Sequence, residues 1–171
     1  MAPTPLQRAL GLAPDTAPAR VERLEKEFFI FKIGPLLLGV DSVNAREVTR
    51  LGVITPLPRA ASFVIGVAGH RGEVLPVIDL LRFFAQGERG PALRTLCFIG
   101  VHGSFAAAFV ADEVVGLRKV FASDILPAPV GGEIPSEHVH GVLHDAGEIE
   151  TVTLLDLPRV LQTSRQRAVT R

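Results

Sequence analysis

The chain of 171 residues carries 18 basic and 18 acidic residues, and 47% of it is hydrophobic. A chain of this length buries about 70% of its unfolded surface, so one or two domains fold without disulfides. The zero net charge and the absence of Tyr and Trp argue against a nucleic-acid-binding protein, which needs basic tracks and stacking rings. No broad attraction to anionic membranes is expected either.

The N-terminal residues 1–27 are predicted to form a flexible leader. Residues 1–19 are rich in Pro and Ala, and the alternating charges of residues 20–27 predict one or two short helical turns. No charged segment followed by an apolar run stands at the start, so no signal peptide is expected. No apolar run reaches the roughly 18 residues that a membrane span requires. We therefore expect a cytoplasmic protein.

Pairs of β-rich runs joined by turn signals dominate the rest of the chain, which predicts a mainly β fold. Short helical turns are expected at 80–84 and 157–162, a linker at 86–92 and a solvated, frayed tail at 162–171. Four hairpins are predicted: 28–33 with 36–40, 64–68 with 74–78, 95–101 with 105–111, and 139–144 with 149–155.

An internal repeat organises these hairpins. Three residue pairs recur at near-constant spacing: Gly66-Val67, Gly72-Glu73 and Asp79-Leu80 return as Gly141-Val142, Gly147-Glu148 and Asp156-Leu157. Self-similarity of this kind indicates one supersecondary unit used twice, with copy 1 at about 28–85 and copy 2 at about 94–161. Because a lone open sheet leaves two exposed edges, we expect each copy to close into a small barrel. Two barrels side by side would leave a groove in which a partner docks.

Few side chains suggest catalysis. The sequence has no phosphate-cradling Gly-x-x-x-x-Gly-Lys loop and no Gly-x-Ser-x-Gly. Asp79 and Asp156 occupy equivalent positions before helical turns, where they are expected to cap helix N-termini rather than to act as a carboxylate pair. Cys97 lies in an apolar run and is expected to be a buried thiol. These features favour a protein that is not an enzyme and that needs no cofactor.

The histidines of the last hairpin leave one alternative open. His138, His140 and His144 share parity, so on a regular strand they face the same side and could present metal ligands. A polar, solvent-facing side of the hairpin explains the same pattern, and a bulge at Gly141 would break the parity. A small metal-dependent enzyme is therefore the rival to a binding protein.

Charged residues near turns are the better candidates for function. Arg71 lies at the tip of the second hairpin, whereas the repeat places Ala146 at the equivalent position. A residue present in one copy only is not required by the barrel itself. Arg46-Glu47-Val48 follows the first hairpin beside an apolar stretch, and such a mixture suits protein docking. A solvated surface pair is the alternative.

Several segments together resemble CheW, the coupling protein of bacterial chemotaxis. The resemblance extends over residues 28–161 and depends on the order and spacing of its motifs. The segments are Phe31 to Gly34, Gly39 to Asp41, Arg46 to Val48, Phe63 to Val67, His70 to Gly72, Leu75 to Leu80, Phe109 to Val114, Ile125 to Pro129, Gly141-Val142 and Leu155 to Leu157.

The resemblance implies two tandem SH3-like five-stranded β-barrels with short helices and no active site. It implies a scaffold that couples the cytoplasmic tip of a chemoreceptor to the regulatory domain of a CheA-type histidine kinase, and other CheW-like proteins are further candidate partners. The receptor-coupling arginine of the family falls on Arg71, and its nearby glutamate falls on Glu47. We expect the two to pair across the groove and to order the turn. The candidate partner-binding residues are Arg71, Glu47, Arg46, Val48, His70, Val67 and Val114.

The chain departs from the pattern of the family at two turns. Gly69-His70 stands where the family usually has Asn-Leu before Arg-Gly, and the first turn reads Pro35-Leu36-Leu37 where a polar sequence is usual. Both departures concern the receptor side. They leave open a specialised or degenerate adaptor that binds only one of the two partners in a sensory pathway other than swimming.

Overall fold

The protein is described by a computed structural model that covers residues 24–87, 94–144 and 150–169. These residues form ten strands and two α-helices, together with short 3-10 turns. The strands are β1 (Glu25–Ile33), β2 (Leu36–Asp41), β3 (Ala45–Leu51), β4 (Val64–His70), β5 (Glu73–Ile78), β6 (Thr95–His102), β7 (Phe105–Val110), β8 (Glu113–Phe121), β9 (Val139–His144) and β10 (Thr151–Leu155), and the helices are α1 (Leu80–Phe83) and α2 (Leu157–Val169).

The strands form two five-stranded sheets, which confirms the predicted mainly β fold. The first sheet has the order β8-β1-β2-β10-β9, and the second has the order β3-β6-β7-β5-β4. Each sheet contains one parallel pair, β10 with β2 and β5 with β7, and its other pairs are antiparallel. Replacing each strand of one order by its counterpart in the other copy reproduces the second order, so the internal repeat is structural.

The expectation that each sequence copy forms its own barrel is wrong at the level of strands. The first sheet takes β1 and β2 from copy 1 and β8, β9 and β10 from copy 2, and the second sheet has the reciprocal composition. The chain leaves the first sheet after β2 through a 3-10 turn, Ser42–Asn44, in which the Asp41 carboxylate accepts a hydrogen bond from the Val43 N–H at 3.1 Å. Each copy therefore donates its first hairpin to the sheet of the other.

Strand β1 explains why this exchange is stable, because it is buried on both faces. Phe28 and Ile30 face a small core inside the first sheet, whereas Phe29 and Phe31 face the main core. The ring of Phe98 on β6 lies 5.3 Å from that of Phe29 and 4.7 Å from that of Phe31. A strand buried on both sides, rich in aromatic and β-branched residues, ties the two sheets together.

The predicted helix caps and the buried thiol are confirmed. The Asp79 carboxylate accepts a hydrogen bond from the Leu81 N–H at 2.9 Å, and that of Asp156 accepts from the Arg159 N–H at 3.1 Å. Cys97 is fully buried, and this burial raises the pKa of its thiol to about 11. The two carboxylates therefore act as caps, and the Cys97 thiol stays protonated at neutral pH.

Both ends of the described chain differ from the expectation. Glu25–Glu27 were assigned to helical turns of the leader, but they are the first residues of β1 and pair with β8. Residues 162–169 were assigned to a frayed tail, but they continue α2. This helix is held because Ser164 is buried and the Arg167 guanidinium lies 4.8 Å and 4.9 Å from the ring centres of Phe63 and Phe83.

Neither of the two described helices is both long and apolar enough to span a membrane. Most of the predicted linker, and residues 145–149 between β9 and β10, lie outside the described residues.

Candidate partner-binding site

The Arg71 turn joins β4 to β5 through two residues. Arg71 has φ +49° and Gly72 has φ +80°, as expected of a type I′ turn, whose twist matches that of the flanking strands. Its backbone positions the Arg71 side chain at the tip, where 76% of the side chain is exposed. Gly72 belongs there because it adopts a left-handed conformation without steric cost.

Glu47 reaches this turn from the neighbouring edge strand. Strands β3 and β4 are the two edges of the second sheet, and Glu47 on β3 contacts both His70 and Arg71. One carboxylate oxygen accepts a hydrogen bond from His70 Nε2, and the other lies 3.3 Å from the Arg71 guanidinium. The expected pairing of Arg71 with Glu47 is confirmed as a contact.

A second ion pair lies beside the first. The Arg46 guanidinium on β3 lies 2.8 Å from the Glu73 carboxylate at the start of β5. Glu73 was not among the predicted site residues. The turn in the sequence could have predicted its place, because a two-residue loop at Arg71-Gly72 puts Glu73 opposite His70 in the hairpin register.

Charge and burial set the electrostatics of this group. The pKa of Glu47 lies below its ordinary value, first because of the hydrogen bond from His70, and further because of the positive charges of Arg71 and Arg46. Partial desolvation opposes this effect. Glu47 is therefore a carboxylate at neutral pH, and it is surrounded by the groups that keep it ionised.

The structure gathers four of the seven predicted site residues into one cluster: Arg46, Glu47, His70 and Arg71. Val48 continues β3 with its side chain exposed. Val67 lies within β4, where it bridges to Thr55 through two backbone hydrogen bonds of 2.8 Å. Val114 belongs to the other sheet, pairs with Phe31 and packs against the main core. Val67 and Val114 are thus not part of the Arg71 cluster.

The histidines proposed as metal ligands do not share a face. His138 lies in a 3-10 turn before β9 and is buried, whereas His140 and His144 are exposed. The His138 ring contacts Phe83 and Phe84, and its Nε2 lies 3.2 Å from the Thr163 hydroxyl. The parity argument was wrong because the strand begins only at Val139. Among the described residues, no group of three or more His, Cys, Asp or Glu side chains is placed to hold a metal ion.

A cavity of the described residues lies away from the Arg71 turn. It has a volume of about 800 Å³ and is lined by residues of the 52–62 connection and the ends of β4, β6 and β7. Neither Glu47 nor Arg71 lines it. The Arg71 cluster is an exposed surface, which suits contact with another protein better than enclosure of a small molecule.

Comparison with known proteins identifies the family. Residues 27–165 match the family model described as a CheW-like domain. The chain belongs to the CheW-like family. Protein FrzA of Myxococcus xanthus is 54% identical over 160 residues, which cover 94% of this chain and 100% of FrzA.

Chemotaxis proteins and a solved structure of the CheW-like family are more distant. The chemotaxis protein CheW of Klebsiella aerogenes is 28% identical, with 86% of this chain and 89% of that protein covered. CheW of Rhizobium meliloti is 26% identical, with 84% and 92% covered. The crystal structure of scaffolding protein TtCheW from Thermoanaerobacter tengcongensis superposes with a TM-score of 0.70 at 25% identity, covering 81% of this chain and 88% of that one.

Proposed function

We propose that this CheW-like protein is a non-catalytic, cytoplasmic adaptor that couples the cytoplasmic tip of a chemoreceptor to the regulatory domain of a CheA-type histidine kinase. The observation that carries the proposal is the Arg71 turn. The Arg71 side chain is 76% exposed, yet its backbone is fixed by a tight turn and its guanidinium contacts Glu47. An arginine held in this way loses little conformational entropy when a partner binds.

The chemistry of this surface supports a protein partner. Arginine is enriched among the residues that dominate binding energy at protein interfaces, and the exposed Val48 on β3 and Val74 on β5 add apolar surface to the same sheet. The ion pairs beside Arg71 leave its outward face available to an acidic or carbonyl-rich surface. Binding of both partners would raise the local concentration of the kinase at receptors.

A specialised adaptor that serves a different sensory pathway, or that binds only one of these partners, is the second candidate. It is favoured by the identity of 54% to FrzA, against 26% to CheW of Rhizobium meliloti and 28% to CheW of Klebsiella aerogenes. The unusual Gly69-His70 before Arg71 lies on the surface assigned to the receptor, so a changed receptor specificity is consistent with both observations.

Replacement of Arg71 by Glu tests the assignment. We expect Arg71→Glu to weaken binding of a receptor cytoplasmic fragment by about tenfold or more, equivalent to about 1.4 kcal/mol, because the new carboxylate repels Glu47 and inverts the contact charge. Isothermal titration calorimetry with the receptor fragment measures the change, and binding of the kinase regulatory domain serves as the second readout.

Arg59→Glu is the matched control, since Arg59 is also exposed and also has a positive φ, +62°. The control should bind the receptor fragment as the wild type does. Unchanged receptor affinity in Arg71→Glu, or loss of the folded state, would contradict the role of Arg71 as a surface contact.

A further inference from the structure

The Glu47 carboxylate is shared between two residues of unequal exposure. The Nε2 atom of His70 contacts Oε1 of Glu47, and 15% of the His70 side chain is exposed. The Arg71 guanidinium lies 3.3 Å from Oε2 of Glu47, and 76% of the Arg71 side chain is exposed. Because a carboxylate only accepts hydrogen bonds, His70 must donate its Nε2–H. The contact nearer the protein interior is thus made by His70.

Burial and stiffness make His70 the stronger anchor of the two. An exposed ion pair between flexible side chains is screened by water and salt and loses side-chain entropy on forming. The imidazole has few rotatable bonds and lies at the end of β4, where the hairpin register fixes its position. The hydrogen bond from His70 is also the largest cause of the lowered Glu47 pKa.

The position of this contact gives it a structural task. In the described part of the chain, β3 and β4 are edge strands that do not pair with each other. Glu47 with His70, and Arg46 with Glu73, connect β3 to the β4–β5 hairpin by side chains alone. No backbone hydrogen bonds of a strand pair join β3 to β4, so the orientation of Glu47 depends on these side-chain contacts. The position of the Arg71 guanidinium, which Glu47 contacts, depends on them too.

We propose that His70 is a positioning residue of the partner-binding surface: it fixes Glu47 across the β3–β4 edge, and Glu47 in turn fixes the head of Arg71. The consequence for receptor binding rests on the proposed function, but the positioning itself does not. Leu, which the resemblance places at this position in the CheW family, makes no hydrogen bond to a carboxylate, so a Leu here could not position Glu47 in this way.

Titration of the Glu47 carboxyl by NMR in the full-length protein tests the positioning without any partner. We expect His70→Leu to raise the pKa of Glu47 towards its ordinary value, and His70→Gln, whose amide N–H replaces the Nε2 donor, to keep it low. His102→Leu is the matched control, since His102 also ends a strand before a two-residue turn, and it should leave the Glu47 titration unchanged.

Binding of a receptor cytoplasmic fragment by the same variants tests the consequence. Affinity should fall about fivefold in His70→Leu, recover in His70→Gln, and show no further loss when His70→Leu is added to Glu47→Gln. An unchanged Glu47 pKa in a folded His70→Leu protein would overturn the proposal. A raised Glu47 pKa in a protein that never binds the receptor fragment would support the positioning and contradict the proposed function instead.

Discussion

At the scale of single residues, His138 shows how burial becomes a dependence of stability on pH. Its ring is enclosed by Phe83 and Phe84, and only 4% of the residue is exposed. Burial is the main cause that lowers the pKa of His138, with Arg159 and Arg167 adding to the effect and Glu137 and Asp156 opposing it. The folded protein therefore favours the neutral imidazole.

We expect the free energy of unfolding to fall as the pH drops below about 6.5, because there the unfolded chain takes up the proton more readily than the folded one. Above that pH the contribution of His138 is fully present. Urea denaturation at a series of pH values measures the slope, and His138→Gln should reduce it between about pH 6.5 and pH 5.

A comparison near pH 8, where a histidine of ordinary pKa is neutral, separates the packing effect of His138→Gln from the effect of the proton. If the free energy of unfolding of His138→Gln depends on pH between about 6.5 and 5 as steeply as that of the wild type, the buried neutral imidazole of His138 is not the cause of that dependence.

The sequence could predict single residues where a local rule applied. Asp79 and Asp156 were found as caps because a carboxylate before a helical turn has a local partner. Arg71 and Glu47 were paired through the family resemblance. The face of His138 was predicted wrongly, since parity holds only within a strand and the turn before β9 could not be read from residue types. The contact of His70 with Glu47 depends on two edges meeting in space, which no local pattern records.

At the scale of elements, the recurrent Gly66 and Gly141 have one common explanation. A Cβ built on Gly66 would lie 2.4 Å from the Thr55 carbonyl oxygen, and one on Gly141 would lie 2.7 Å from that of Leu126. At both positions a connecting segment crosses the strand, through the bridges Thr55 to Val67 and Leu126 to Val142. Each copy of the repeat therefore contains the same close approach of a connecting segment to the backbone of a strand.

Gly66→Ala should therefore destabilise the protein by about 2–4 kcal/mol, since a backbone atom cannot move aside as a side chain does and Gly66 also has φ +156°. Gly69→Ala, on the same strand with nothing within 4 Å of the added carbon, is the control and should cost far less. Thermal and urea unfolding of both variants measure the difference. Equal stabilities of the two variants would show that the crossing segment moves freely.

Two strands, β3 and β8, were not predicted. Each is the edge strand at the equivalent end of its sheet, with exposed and partly buried residues in alternation. Edge strands carry charges on their outer face. The alternation of apolar and polar residues that identifies a strand is therefore incomplete, and the sequence of these strands looks like that of a surface loop. The length of α2 was underestimated for a related reason: its second half, rich in Arg and Gln, looks like a solvated tail until Phe63 and Phe83 are known to receive Arg167.

At the scale of the whole molecule, the sequence could not predict that the two copies exchange their first hairpins. The repeat showed two copies, but two copies of like hairpins pair equally well within a copy or across copies. The choice depends on the connections after β2 and β7 and on the rings of Phe29, Phe31 and Phe98, which meet between the sheets. The result is a body in which neither copy completes a sheet alone.

This architecture suits an adaptor, because two sheets that each take strands from both copies present their surfaces in a fixed relation. The proposed function requires that one such molecule joins a receptor to the kinase. The measurement that tests this most directly is capture of the CheA-type kinase regulatory domain by an immobilised receptor cytoplasmic fragment, with and without this protein. We predict that the kinase domain is retained only when the protein is present, and that Arg71→Glu abolishes retention. Equal retention without the protein, or none with it, would contradict the claim.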